Sequence, residues 1–184
     1  MLTAKQILVG NIVTLSEKRM KEFNIKMEPA QMGIDLHLVS VSKMVGSGRI
    51  PSDNAKTADG KKVKAVIAKC EPVEPEVDPL IGRIWKLEPG EYEIGFAEGC
   101  HIPLNGAAII IHRSSVRRNG TVIYSPLWDP DFHTEEMGTF MHVNQPIVID
   151  EAARVAQIIV FDSKEEAEAY NGQYQGQGVL NGNH

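Results

Sequence analysis

Ala107-Ala-Ile-Ile-Ile-His-Arg-Ser-Ser-Val-Arg-Arg-Asn-Gly-Thr-Val-Ile-Tyr124 joins two short apolar runs through a polar connection, and the reading of that connection decides the fold. Ala107 to His112 and Thr121 to Tyr124 read as strands, and Asn119-Gly120 is a turn signal between them. The span therefore reads as strand-turn-strand. It places the Arg113 guanidinium and the Ser114 and Ser115 hydroxyls at one end, and the continuation Ser125-Pro-Leu-Trp-Asp129 places a carboxylate beside an aromatic at the other. Arginine presents a planar fork of donors that matches phosphate oxygens, and serine hydroxyls can donate alongside it. A carboxylate cannot bind that anion, so Asp129 is left to handle a water. A surface Arg-Ser-Ser turn with an Asp in an ordinary turn would carry the same residues, so this stretch alone leaves both readings open.

Outward from it the punctuation repeats. Gly82 to Leu87, Glu91 to Ala97, Gly138 to Val143, Ile147 to Ile149 and Val155 to Phe161 read as further strands. Turns are marked at Glu88-Pro-Gly90, Pro103-Leu-Asn-Gly106 and Asn144-Gln-Pro146. Many short strands at this spacing predict an all-β sandwich or barrel. Upstream, Gly33-Ile-Asp-Leu-His-Leu-Val-Ser-Val41 alternates, with Ile34, Leu36 and Leu38 on one face and Asp35, His37 and Val39 on the other. It predicts a strand on which Asp35 reads as an edge charge unless partners are found, and His37 as a surface histidine.

Three stretches depart from that pattern. Thr3 to Val9 predicts a short helix with a Thr3/Gln6 capping box, while Asn11 to Met27 fits either a strand and turn or a second short helix. Ser42 to Pro79 is polar, turn-rich and charged, with strand-like alternation only at Lys64 to Lys69 and an acidic, proline-rich end that reads as a solvated loop. Ser163 to Tyr170 predicts one late helix capped by Ser163, and Asn171 to His184 reads as a glycine-punctuated tail that is mobile until a ligand binds.

Composition narrows the partners. A net charge of -5 and a pI near 5.7 disfavour a broad nucleic-acid or membrane surface, so phosphate recognition must be local. Cys70 and Cys100 lack a CxxC or His-rich companion pattern, which argues against zinc. They read as reduced thiols, or less readily as a disulfide, and with no long apolar run the chain reads as soluble and cytoplasmic.

Four segments fall into a known order. Gly33-Ile-Asp-Leu36, Arg113-Ser-Ser115, Trp128-Asp-Pro-Asp-Phe132 and Arg154-Val-Ala-Gln157 resemble the successive motifs of the trimeric dUTPase and dCTP deaminase superfamily. Leu87-Glu-Pro-Gly-Glu-Tyr92, with Glu98 and Pro103, is similar to the approach to the second motif. Tyr170-Asn-Gly-Gln-Tyr-Gln-Gly-Gln177 is similar to the closing segment. Tyr124-Ser-Pro-Leu-Trp-Asp129 with Ala153-Arg-Val-Ala-Gln157 resembles the archaeal-type dUTPases of the deaminase-like branch.

The resemblance implies one distorted jelly-roll, β-clip domain over residues 1–184, with an insertion at 42–79 and a closing tail at 171–184. It also implies a homotrimer with sites shared between neighbours, a deoxyuridine or deoxycytidine triphosphate ligand, and Mg²⁺ bound through the substrate phosphates. Arg113 and Ser114 would hold phosphate, Ser115 would lie near the bond that breaks, and Arg118 would support the site electrostatically. Asp129 would orient or deprotonate the attacking water. Phe132 would lie against the deoxyribose, Gln157 would contact phosphate or its waters, and Asp35 would shape the metal-water network. Tyr174 and Gln177 would close over the ligand.

Hydrolysis of dUTP to dUMP and pyrophosphate, deamination of dCTP, and nucleotide binding without catalysis are the three activities this scaffold implies. The deaminases carry a glutamate ten residues after the motif aspartate, where this chain has Thr139, and usually a lysine where it has Gln173. A threonine cannot shuttle protons at neutral pH as a carboxylate does, so hydrolysis is favoured. The glycine that often precedes the third motif is replaced by Ser125-Pro-Leu-Trp128, which bears on base preference, and the family's usual tyrosine is Phe132.

Overall fold

The computed structural model describes residues 1–172 and 174–177. The chain is mostly β, as the strand spacing predicts, and every ladder among the described residues is antiparallel.

The largest sheet is built on β3 (Ile34–Met44), flanked by β7 (Gly90–Phe96) and β14 (Arg154–Asp162). Beyond β14 lies β9 (Gly106–His112). Beyond β7 lie β12 (Gly138–Val143) and then β10 (Thr121–Tyr124). The short strands β2 (Glu28–Pro29) and β4 (Cys70–Pro72) also pair with β3. A second sheet joins β1 (Val13–Thr14), β8 (Gly99–His101) and β11 (His133–Thr134), and a third joins β13 (Ile147–Asp150), β6 (Gly82–Leu87) and β5 (Glu76–Asp78). Ile34, Leu36, Leu38, Ile94, Phe96, Ile110, Met141 and Ile158 meet in the core. Gly33 is required where β14 crosses, because a Cβ there would lie 2.5 Å from the Ile158 carbonyl oxygen.

Of the predicted helices, α1 (Ala4–Val9) forms with the expected Thr3/Gln6 capping box. Asn11 to Met27 contains both of the alternatives, β1 and then α2 (Glu17–Phe23). Four expectations are corrected. First, the connection after β9 is not a simple turn. Ser114–Arg118 forms a one-turn helix, α3, so the span is strand-helix-strand. The Asn-Gly signal ends that helix: Asn119 donates to the Ser115 carbonyl through its backbone and side-chain N–H groups, and Gly120 takes φ +70.

Second, Ser163 to Tyr170 is not helical. Its backbone N–H groups go to other parts of the fold, Ser163 to Asn105, Ala167 to Leu104 and Tyr170 to Pro130, in place of the i to i−4 ladder. Eight residues are too few to hold a helix against that competition. Third, Lys64 to Lys69 forms no strand, making only an isolated bridge from Val66 to Arg49. The acidic stretch expected as loop supplies β4 and β5.

Fourth, His37 is not a surface residue. Strand β3 is covered on both faces, so alternation along it separates two interiors. His37 is buried, with Nδ1 2.5 Å from Oε1 of the fully buried Glu98, whose Oε2 accepts the His37 backbone N–H.

Candidate active site

The order β3-β14-β9 brings together residues far apart in the chain. Gln157 on β14 stands in register with Asp35 on one side and Ile111 on the other, and Arg113 follows directly after β9 as the N-cap of α3. Asp35 is buried at 5% exposure, so its carboxylate must be satisfied by protein donors. Gln157 Nε2 donates to Oδ1 at 2.6 Å. Arg113 Nη1 donates to Oδ2 at 2.7 Å, and Arg154 Nη1 donates to the same oxygen at 3.3 Å. Arg113 remains about one-third exposed and Arg154 nearly half, so each guanidinium keeps donors for a ligand. Ser114, Ser115 and Arg118 are exposed on α3 beside them. Asp35 is thus an interior anchor, not an edge charge.

A second cluster forms around the turn after β10. Trp128 pairs its backbone N–H and carbonyl with those of Ala108, which seats the Ser125-Pro-Leu-Trp segment on β9. Asp131 adopts φ +62, a left-handed conformation that aspartate tolerates better than most residues, and the turn then delivers Phe132 edge-on to Trp128 with ring centroids 5.2 Å apart. Tyr170 packs edge-on against Phe132 at 5.5 Å. Gln175 fastens the following residues to this turn: its Nε2 donates to the Asp131 carbonyl at 2.8 Å, and its Oε1 accepts from the His133 N–H at 3.2 Å. The result is a pocket of about 480 Å³. It is lined by Asp129, Phe132, Trp128, Leu127 and Phe140, by Tyr170, Tyr174 and Gln177 from the tail, and by Ile67 and Glu93. Gln173 and the tail from residue 178 onward lie outside the described residues.

The predicted site residues therefore form two groups on one chain. Arg113, Ser114, Ser115, Arg118, Gln157 and Asp35 belong to the first; Asp129, Phe132, Tyr174 and Gln177 belong to the second. Trp128 pairs with Ala108 and Arg113 lies five residues further along the chain, which sets the Arg113 backbone ~16 Å from the Trp128 bridge at ~3.3 Å per strand residue. Thr139, the deaminase glutamate position, does not line the pocket. It is buried and its hydroxyl donates to the Tyr124 carbonyl. Glu136 is paired with Arg19, and Glu135 is exposed.

Sequence reading did not single out Arg154, Gln175, Tyr170 or Glu93. Arg154 lies within the fourth motif and Tyr170 and Gln175 within the closing segment, whereas Glu93 lies in no motif.

A family model for dCTP deaminase-like proteins matches residues 6–163. The chain is 34% identical over 146 residues to the deoxyuridine 5'-triphosphate nucleotidohydrolase of Methanocaldococcus jannaschii, covering 79% of this chain and 86% of that protein. It is 31% identical over 143 residues to a probable deoxyuridine 5'-triphosphate nucleotidohydrolase of Halobacterium salinarum, covering 78% and 80%. Among solved structures, the 2'-deoxycytidine 5'-triphosphate deaminase from Agrobacterium tumefaciens shares the fold at a TM-score of 0.52 and 14% identity. That likeness covers 88% of this chain and 47% of that one, so the chain spans about half the length of that protein. On the family match and these two relatives, the chain belongs to the dCTP deaminase-like family.

Proposed function

We propose that the chain is a dUTP diphosphatase that hydrolyses dUTP to dUMP and pyrophosphate. The observation that carries this reading is the division of its polar residues into a phosphate-matching donor set, held by Asp35, and an aromatic pocket that contains Asp129. In-line attack of water between the α- and β-phosphates requires positioning, neutralisation of the leaving pyrophosphate and a base. Arg113, Ser114, Ser115 and Gln157 bind the phosphates, with Arg118 adding positive charge. Asp129 orients and deprotonates the water, Phe132 lies against the deoxyribose, and Tyr174 and Gln177 cover the ligand.

Mg²⁺ would be held through the substrate phosphates, because the side chains at the phosphate end are cationic, amide or hydroxyl, and Asp35, which accepts from Arg113, Arg154 and Gln157, would act on the ion's surroundings by holding those donors. When bound, the ion supplies further charge neutralisation.

The two groups face a ligand from separate ends of β9, with Trp128 bridged to Ala108 at one end and Arg113 following His112 at the other. A homotrimer in which one copy supplies the phosphate donors and its neighbour the Asp129 pocket completes the site.

Deamination is the second reading, and the placement of Thr139 disfavours it: its hydroxyl is spent on a backbone carbonyl and lies outside the pocket. Incubation with dUTP or dCTP and Mg²⁺ separates the readings. Pyrophosphate from dUTP is the expected product. Ammonia from dCTP would establish the deaminase instead, and binding without product would leave a regulator.

A further inference from the structure

One charged residue of the pocket takes no part in the chemistry above. Strand β7 sends Tyr92, Ile94 and Phe96 into the core and Glu93 to the opposite face. The register sets Glu93 between Ser42 of β3 and Phe140 of β12, and two residues further along β7 it sets Gly95 against Gly138. Of this pair Gly138 lines the pocket and puts no side chain beside the carboxylate, so a flat ring can approach the sheet there. Glu93, Gly138 and Phe140 all line the pocket that holds Asp129.

The excursion between β3 and β5 reaches the same place by two routes. Ile67 forms part of the pocket wall. Cys70, at the start of β4 and opposite Met44 of β3, shares a hydrogen bond with Glu93. Burial, and then the neighbouring Glu93 charge, push the Cys70 thiol upward, so at neutral pH it keeps its proton and donates to the carboxylate. Residues 42–79 thus both wall this end of the pocket and hold Glu93 in place.

We propose that Glu93 is a specificity-determining residue whose carboxylate accepts a hydrogen bond from an N–H on the edge of the pyrimidine, with Ile67 and Cys70 of the excursion fixing its position. The inference rests on the nucleotide-hydrolase reading of this pocket. An ionised carboxylate is an acceptor only, so it selects a base that presents a donor there and disfavours one that presents only carbonyl oxygens. Uracil N3–H and the exocyclic amine of cytosine share that chemistry.

The test compares wild type, Glu93→Ala and the isosteric Glu93→Gln on dUTP, dCTP and N3-methyl-dUTP. Steady-state pyrophosphate release is measured alongside calorimetric binding of the corresponding α,β-imido triphosphates. Glu93→Ala is expected to lower kcat/KM for dUTP ~10- to 100-fold, chiefly through KM, and Glu93→Gln less. N3-methyl-dUTP should already be poor with wild type and lose nothing more in the variants. A loss confined to dCTP would instead name the cytosine amine as the donor. Equal loss on all three nucleotides, or on none, overturns the proposal. If wild type binds the imido nucleotides but releases no pyrophosphate, the hydrolase reading fails alone, and the same pattern in the binding constants decides the role of Glu93. If wild type binds none of them, both fail.

Discussion

Replacing Asp35 by Asn keeps the shape of the side chain and removes its charge, which tests whether this carboxylate holds the phosphate end together. Its oxygens accept from Gln157 at 2.6 Å, Arg113 at 2.7 Å and Arg154 at 3.3 Å. Asparagine offers one acceptor oxygen and turns an NH₂ group toward donors, so at least one short bond is lost and a donor faces a donor. A hydrogen bond to a charged group is worth ~1.5–3 kcal/mol, and a buried pair broken on one side costs ~3–5 kcal/mol. The exposed parts of both guanidiniums recover some hydration, which brings the expected loss to ~2–4 kcal/mol. At ~2–4 °C per kcal/mol for a chain of this size, the melting temperature falls by roughly 5–15 °C. Scanning calorimetry at neutral pH measures it, and KM for dUTP should rise because Arg113 and Gln157 lose their anchor. Glu28→Gln is the control: Glu28 touches the same Arg154 at 3.8 Å but at a partly exposed site, so its loss should stay below ~1 kcal/mol. A melting temperature of Asp35→Asn within 2 °C of wild type together with an unchanged KM (both thresholds set on the order of measurement error) would refute the anchoring role.

Asp129→Asn should cut kcat ~10²- to 10⁴-fold and leave nucleotide binding intact, as single-turnover kinetics and calorimetry will report; full activity would remove it as the base. If each site draws its phosphate donors and its Asp129 from different copies, mixing inactive Arg113→Ala and Asp129→Asn chains after co-refolding should return about a quarter of wild-type activity, against none for either alone. Gln175→Ala removes the two side-chain bonds that tie the tail to the Asp131–His133 turn and leaves the Gly176 N–H on the His133 carbonyl, so KM should rise on the order of tenfold and chymotrypsin should cleave at Tyr174 faster, with little change in melting temperature. Burial pushes the Cys100 thiol up to about 12 from an ordinary 9.0. Above pH 9 the unfolded thiol ionises while the folded one does not, so stability falls as pH rises from 9.0 to about 12. Thermal melts of Cys100→Ala across that range should therefore show a shallower alkaline decline than wild type.

What could be read without coordinates was what is local. The Thr3/Gln6 capping box spans three residues, and the strands from Gly82 to Phe161 announce themselves through short apolar runs and turn residues. Where chemistry depends on distant partners, the reading stopped short. Asp35 looked like an edge charge because its three donors lie 78, 119 and 122 residues away. His37 looked exposed because alternation reports two faces but not whether a second layer covers the outer one, and its partner Glu98 is 61 residues distant. Ser163 to Tyr170 has good helical composition, yet tertiary hydrogen bonds override it. The Asn119-Gly120 signal was real but ambiguous, since the residues that close a hairpin also terminate a helix.

The non-helical course of Ser163 to Tyr170 also decides where the tail begins. Ser163 and Ala167 donate to the neighbouring carbonyls of Asn105 and Leu104, so the segment bends back at Lys164 and Glu165 before Tyr170 reaches Pro130. This tether runs from Asn105, past Leu104, to Pro130, where Tyr170 packs edge-on against Phe132. Coiled into the helix its composition favours, it would turn the Ala167 and Tyr170 N–H groups onto its own carbonyls and release their anchors on Leu104 and Pro130, and Tyr174 and Gln177 would lose the support that holds them at the pocket. Closure thus depends on the backbone course of a segment that, Tyr170 apart, lies outside the pocket. Ala167→Pro, which deletes the N–H that donates to Leu104, would lengthen the open time of the site without altering a residue that lines it.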